Sequence, residues 1–303
     1  MAPRVVPAPS AGSEIVSAAE HGRICALALE CRRDLKACVD AYPDLFPRKP
    51  FDERLFTGVA LANAYGSPWE DAAGLRMAIK TSMWNFAADW QIDYVAGTRE
   101  EVQDLIADCL SVADGDDPVR SGPITTFLAE IVKDLADGPA AAILPAWRDQ
   151  FARWLAAMAR EWEWKTARAE GTGGLPTFEE YLANADNFGT TWVNISHWIH
   201  RGDTMTVARI DELWSASQEV QRILRLLNDL ATYRRDVEWG DLNALMLGLE
   251  RSEVRARIEA LIAHSRELIE PLKPDCLEAA TYLERQIGFS TGFYGVTDYW
   301  GAL

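Results

Sequence analysis

Three oxygen-bearing side chains, Asn228, Thr232 and Asp236, recur at every fourth residue of a stretch reading NDLATYRRD. At about 100° per residue, a step of four drifts only about 40° round an α-helix, so the three share one face and span roughly 12 Å of axis. An amide carbonyl, a hydroxyl and a carboxylate are all hard donors. Mg²⁺ takes such oxygens, prefers octahedral geometry, and completes its shell with waters and substrate phosphate oxygens. A second pair lies upstream, where Asp89 and Asp93, again four apart, place two carboxylates on one helix face. Across a cavity from the first set, they would share a cluster of cations.

Polar residues on a helix ordinarily face water, and the setting is what sets these apart. Ile210, Leu213, Trp214, Val220, Ile223, Leu227 and Leu230 make an apolar stripe that ties the helix to a core. Asn and Thr are also mediocre helix formers, so their presence in mid-helix has a cause other than propensity.

Together the two segments resemble the metal motifs of class I terpene synthases, an aspartate-rich DDxxD and a motif of the form NDxxSxxKE. Asn228, Thr232 (for Ser) and Asp236 (for Glu) match the second position by position, with Arg235 where the basic residue sits. Asp89 and Asp93 match the first and last acids of DDxxD, while Trp90 replaces the middle one. Glu238, Gly240, Asp241 and Asn243 look like the segment that follows the second motif, and the resemblance spans nearly the whole chain after the first dozen residues. It implies an all-α class I terpene synthase fold around a central cavity. Mg²⁺, three ions in all, would be held by Asp89, Asp93, Asn228, Thr232 and Asp236. Arg235, Arg234 and Tyr294 would bind the diphosphate of an isoprenoid substrate, and Phe86, Trp90 and Trp192 would line the cavity. The partner implied is thus a small molecule, the setting cytoplasmic, and the assembly compatible with a homodimer.

Two positions depart from the family pattern. After the match of Pro176, Glu179, Glu180, Tyr181 and Leu182, Ala185 stands where an arginine usually senses the diphosphate, and Phe293-Tyr294 replaces a C-terminal Arg-Tyr. Both changes remove donors from the leaving-group site and point to the labdane-related subgroup, whose substrates are bicyclic C20 diphosphates of the copalyl type, with geranylgeranyl diphosphate the linear counterpart. The alternatives are a sesquiterpene synthase using farnesyl diphosphate and a catalytically inactive helical scaffold. A chain-elongating prenyltransferase resembles the fold too, but it carries two Asp-rich motifs, against which Asn228 and Thr232 argue.

Positioning these groups requires long helices, and the apolar spacing is helical almost throughout. The pattern predicts helices near 14–40, 51–65, 69–97, 99–112, 123–137, 143–169, 177–200, 203–238, 241–249, 251–270 and 274–299, some of them broken. That makes one all-α domain of about ten helices over 14–303, after a flexible tail at 1–13. Breaks fall at turn-forming residues such as Gly138-Pro139 and Gly171 to Pro176. Thr177 with Glu180 three residues on is a capping-box pattern.

The 303 residues can bury a substantial core, and a formal net charge of −16 excludes a nucleic-acid partner, which needs a basic face. An acidic protein binds an anionic diphosphate only if cations invert the local field. No apolar run approaches the roughly 18 residues of a membrane span. The five cysteines lack metal-binding spacing and read as free thiols, and the sequon at Asn194 reads as chance. His197 and His200, without a third ligand at zinc spacing, read as structural. Twelve tryptophans exceed what any one pocket needs, so most belong to packing, although a ring-lined cavity suits carbocations.

Overall fold

The computed structural model describes residues 11–301, so the expected tail at 1–13 lies outside them except for its last three residues, with which the first helix opens. Twelve α-helices follow in order: Ala11–Asp40 (α1), Glu53–Gly66 (α2), Ala72–Trp90 (α3), Arg99–Ala113 (α4), Pro123–Ala136 (α5), Leu144–Glu170 (α6), Phe178–Ala183 (α7), Thr190–Arg201 (α8), Thr204–Ala208 (α9), Ile210–Trp239 (α10), Arg251–Ile269 (α11) and Leu277–Phe293 (α12). Among the described residues there is no strand, and no helix is long and apolar enough to cross a membrane.

Side-chain caps set several of the starts. Asp52 accepts from the amides of Arg54 and Leu55 at 2.9 and 3.1 Å to open α2, and Asp71 accepts from Gly74 N at 2.8 Å to open α3. The expected box at Thr177 is present, with Thr177 N donating to Glu180 Oε2 at 2.8 Å and Glu180 N to Thr177 Oγ1 at 3.2 Å. Gly171, Gly202 and Gly240 end α6, α8 and α10 in the left-handed conformation.

Four expected elements differ. The stretch 177–200 divides into α7, a 3₁₀ turn at Ala185–Phe188 and α8. Gly189, at φ +76°, makes the corner, and a Cβ there would collide with the Asn85 side chain. The stretch 203–238 breaks between α9 and α10, and 274–299 stops at Phe293. The stretch 241–249 holds only a 3₁₀ turn at Ala244–Met246, which Asn243 opens by accepting from Leu245 N at 3.0 Å.

Helix α10 packs against α8, α11 and α12, while α3 packs against α1, α2, α5 and α8. Beneath them an aromatic cluster of Trp84, Trp147, Phe151, Trp154 and Trp192 joins α3, α6 and α8, with Trp154 and Trp192 stacked at 5.9 Å. Each large ring removes 150–250 Å² from water. Trp154 Nε1 also donates to the Asn187 carbonyl at 3.0 Å and so pins the 3₁₀ turn to α6. The five cysteines are free. Asn194 is fully buried, donating to Ser217 Oγ at 2.9 Å and to Gln286 Oε1 at 3.1 Å, so the folded chain offers no glycan acceptor there. His197 is buried 3.4 Å from Ser67 Oγ, and His200 lies against the Ala73 carbonyl at 3.1 Å, both in packing roles.

Candidate active site

A cavity of about 1450 Å³, open mouth included, is walled by α2, α3, α6, α8, α10 and α12. Its lining combines the carboxylates of Asp89, Asp93, Glu161, Asp229, Asp236 and Asp241, together with Asn228, Arg225 and Arg235, with an apolar set of Phe86, Phe188, Val193, Phe289, Tyr299 and Trp300. Such an apolar pocket with a few convergent polar groups is the usual form of a small-molecule site.

The second motif closes up along α10. Thr232 Oγ1 donates to Asp236 Oδ2 at 2.6 Å and lies 2.9 Å from the Asn228 carbonyl and 3.5 Å from Asn228 Oδ1, so one helix face brings the three oxygens together. Asn228 and Asp236 reach the cavity surface, whereas Thr232 is buried behind them. Burial lifts the Asp236 carboxyl to about 6, with the hydrogen bonds from Thr232 and Asn243 holding it back. Arg235 pairs with Asp298 and lies 3.4 Å from Asp236, its guanidinium 5.1 Å from the Trp239 ring centroid. Tyr294 lines the cavity beside Asn228.

The first motif is built differently from a regular helix. Beyond Trp90 the backbone widens into a π-helical turn, Gln91–Val95, closed by Ala96 N donating to Gln91 O at 2.9 Å. Such turns occur frequently at functional sites. Asp89 and Asp93 both line the cavity, but Asp93 Oδ1 sits 3.1 Å from Lys165 Nζ, an ion-pair contact without hydrogen-bond alignment. The same ammonium is 2.6 Å from Asp241 Oδ1, and Tyr94 donates its hydroxyl to Asp241 Oδ2. Burial raises the carboxyls, that of Asp89 well above the usual range with Asp93 and Asp241 adding repulsion, and that of Asp93 to about 7 against the pull of Lys165. An acid cluster that so resists ionisation is one that a bound cation would stabilise.

Three expected residues stand elsewhere. Trp192 is fully enclosed in the aromatic cluster, since α8 turns Val193 and Thr190 to the cavity and Trp192 to α3 and α6. Trp90, one residue and thus about 100° round the helix from Asp89, packs instead on Phe51, Tyr94 and Trp300, with centroids 6.4, 4.7 and 6.1 Å away. Arg234, by the same rotation from Arg235, is exposed to solvent outside the cavity. Phe86 does line it.

At the two positions that depart from the family pattern, Ala185 is buried within its 3₁₀ turn. Phe293 stacks on Phe289 at 5.3 Å and lies 4.8 Å from Tyr299, buttressing two rings of the cavity wall. A buried cation nevertheless stands beside Ala185. Arg225 donates to the Asn184 carbonyl at 3.0 Å and to Glu161 at 2.7 Å, and its guanidinium lies 3.8 Å over the Tyr181 ring. Sequence reasoning missed Arg225, Glu161 and Lys165. Arg225 had one local signal, its place three residues before Asn228 on the same helix face, while Lys165 and Glu161 had none.

Among the described residues no three His, Cys, Asp or Glu side chains close into a preformed metal cage. The mixed Asn, Thr and Asp set with Asp89 nevertheless fits Mg²⁺, which is bound through one or two carboxylates plus waters and substrate phosphate rather than by an all-protein cage.

The model of the family "Terpene synthase family 2, C-terminal metal binding" matches residues 80–271, well over half of the chain and both acid motifs. The chain is similar to the ent-pimara-9(11),15-diene synthase of Streptomyces sp. (strain KO-3988), 25% identical over 281 residues, which cover 91% of this chain and 93% of that enzyme. In fold it is similar to 2-methylisoborneol synthase from Streptomyces coelicolor A3(2), solved with Mg²⁺ and geranyl-S-thiolodiphosphate, at TM-score 0.71 and 14% identity over 92% of this chain and 93% of that one. It is likewise similar to linalool/nerolidol synthase from Streptomyces clavuligerus, solved with 2-fluorogeranyl diphosphate, at TM-score 0.65 and 18% identity over 89% and 93%. With the helix-walled cavity already in place, these likenesses identify the chain as a member of the terpene synthase family, a class I enzyme of the bacterial type and a lyase acting on an isoprenoid diphosphate.

Proposed function

We propose that the enzyme ionises a C20 diphosphate, a bicyclic copalyl-type substrate in preference to linear geranylgeranyl diphosphate, and converts the cation to a labdane-related diterpene. The observation that carries this reading is a cavity lined both by the oxygen donors Asp89, Asn228 and Asp236 of the two motifs and by the rings Phe86, Phe289, Tyr299 and Trp300. Similarity to a pimaradiene synthase supports the same chain length.

Asp89 on one wall and Asn228, Thr232 and Asp236 on the other would hold Mg²⁺, three ions by the family resemblance. Bound there, the metal supplies Lewis acidity that stabilises charge on the departing diphosphate. Arg235 adds charge-assisted hydrogen bonds to the leaving group from the rim, and Tyr294 a hydroxyl. Phe86, Phe289, Tyr299 and Trp300 exclude water from the hydrocarbon end and offer aromatic faces to the carbocation. With Ala185 and Phe293 in place of arginines, each lost donor forfeits roughly 1.5–3 kcal/mol of grip. A rigid bicycle, which loses less conformational entropy on binding than a flexible chain, offsets part of that loss.

Incubation with C10, C15, linear C20 and bicyclic C20 diphosphates plus Mg²⁺, followed by gas chromatography–mass spectrometry, tests the reading. The expected result is the highest kcat/KM for a bicyclic isomer. A higher value for farnesyl diphosphate would establish the sesquiterpene alternative, and release of no product or diphosphate from any substrate would establish the inactive scaffold.

A further inference from the structure

Lys165 leaves α6 with only 12% of its side chain exposed, and it ends between two carboxylates from different parts of the chain. Its Nζ is 2.6 Å from Asp241 Oδ1 and 3.1 Å from Asp93 Oδ1, and it lies 5.0 Å from the centroid of the Tyr94 ring, whose hydroxyl donates to the other oxygen of Asp241. Asp93 belongs to the π turn that follows α3, and Asp241 to the connection that follows α10. One ammonium therefore ties together the two walls that carry the two motifs. The two cations that line the cavity pair with other acids, Arg225 with Glu161 and Arg235 with Asp298 and Asp236. Lys165 is thus what balances the carboxylates of the first motif.

We infer that Lys165 is a positioning residue, a built-in counter-ion that occupies the space between Asp93 and Asp241, withdraws Asp93 from the metal-ligand set and leaves Asp89 to serve the first motif alone. This rests on the reading that divalent cations bind at Asp89 and the α10 triad. It follows from electroneutrality and reach. A compact ammonium bonded to Asp241 and in ion-pair contact with Asp93 balances both charges in a partly buried site, and a divalent ion placed against the same two oxygens would have to displace it.

Mn²⁺ binding to the full chain, followed by electron paramagnetic resonance without substrate, reads this directly and needs no turnover. Lys165→Met frees Asp93 and Asp241, so the variant should bind Mn²⁺ alone at least 10-fold more tightly than the unaltered protein. Its melting temperature should fall without metal and recover on adding Mn²⁺, and Lys165→Met/Asp93→Asn should lose the gained site. A lysine with a merely structural part would lower the melting temperature but leave Mn²⁺ affinity unchanged, and equal affinity in Lys165→Met and the unaltered protein overturns the inference. Should Lys165→Met not fold, Asp93→Asn alone decides. Its Mn²⁺ affinity in the presence of inorganic pyrophosphate should stay within about twofold, and a 10-fold loss overturns the assignment. Failure of the proposed reaction would show separately, as absence of product from the unaltered enzyme.

Discussion

Asn243 donates from Nδ2 to Asp236 Oδ2 at 2.8 Å, and its amide also reaches the Asp229 carbonyl at 2.9 Å. The carboxylate that closes the second motif is thereby aimed from outside the helix that bears it. Groups that orient metal ligands typically cost 10–100-fold in affinity when removed. Asn243→Ala should raise the Mg²⁺ concentration for half-maximal turnover by about that factor while the far-ultraviolet circular dichroism of the helices persists. An unchanged metal requirement in the folded variant would show that Asp236 needs no such support.

Asp89 and Asp93 look equivalent in sequence but have different neighbours. Asp93 faces Lys165 directly, whereas Asp89 is disfavoured as an anion first by burial and then by repulsion from Asp93 and Asp241, with Lys165 a weaker offset. Asp89→Asn should therefore lower kcat at saturating Mg²⁺ by at least 10-fold more than Asp93→Asn does. Equal tolerance of both substitutions would mean that this end of the cavity is a solvated acidic wall.

The Glu161–Arg225 pair is almost wholly buried, at 11% and 4% side-chain exposure. Removing one partner of such a pair leaves an uncompensated charge and costs about 3–5 kcal/mol, whereas removing both costs much less than the sum. Urea unfolding of Arg225→Met, Glu161→Gln and the double variant should show that non-additivity, and additive losses would contradict it.

Burial, helped by the nearby Arg201 and His200, pushes the His197 imidazole from 6.5 down to about 3. The unfolded chain takes up that proton below pH 6.5 and the folded one does not, so the stability it contributes is complete above pH 6.5 and drains away as the pH falls towards 3, at about 1.4 kcal/mol per unit. Asp229, raised to about 7 chiefly by burial, acts in the opposite direction, since the folded chain protonates first. Subtraction isolates the histidine. Between pH 7 and 5 the unfolding free energy of the unaltered protein should fall relative to that of His197→Gln, and parallel pH profiles would place the proton elsewhere.

Local chemistry was enough to reveal the helices, the Thr177 capping box and the oxygen row of α10, because a four-residue spacing and a hydrogen-bonded cap depend only on backbone geometry within one or two turns. Residues on adjacent faces were beyond that reach. Trp192 and Val193 are neighbours in sequence, and only the packing of α8 on α3 and α6 sends one ring into the core and the other side chain to the cavity. Lys165 and Asp241 stand 76 residues apart, and nothing in the spacing of either predicts that they meet. Periodicity states which face of a helix is buried. Which charge waits across the gap, and so whether an aspartate is free to bind a cation or already has one in Lys165, is decided when separate helices close round a common cavity and the cost of burying an unpaired charge selects the partner.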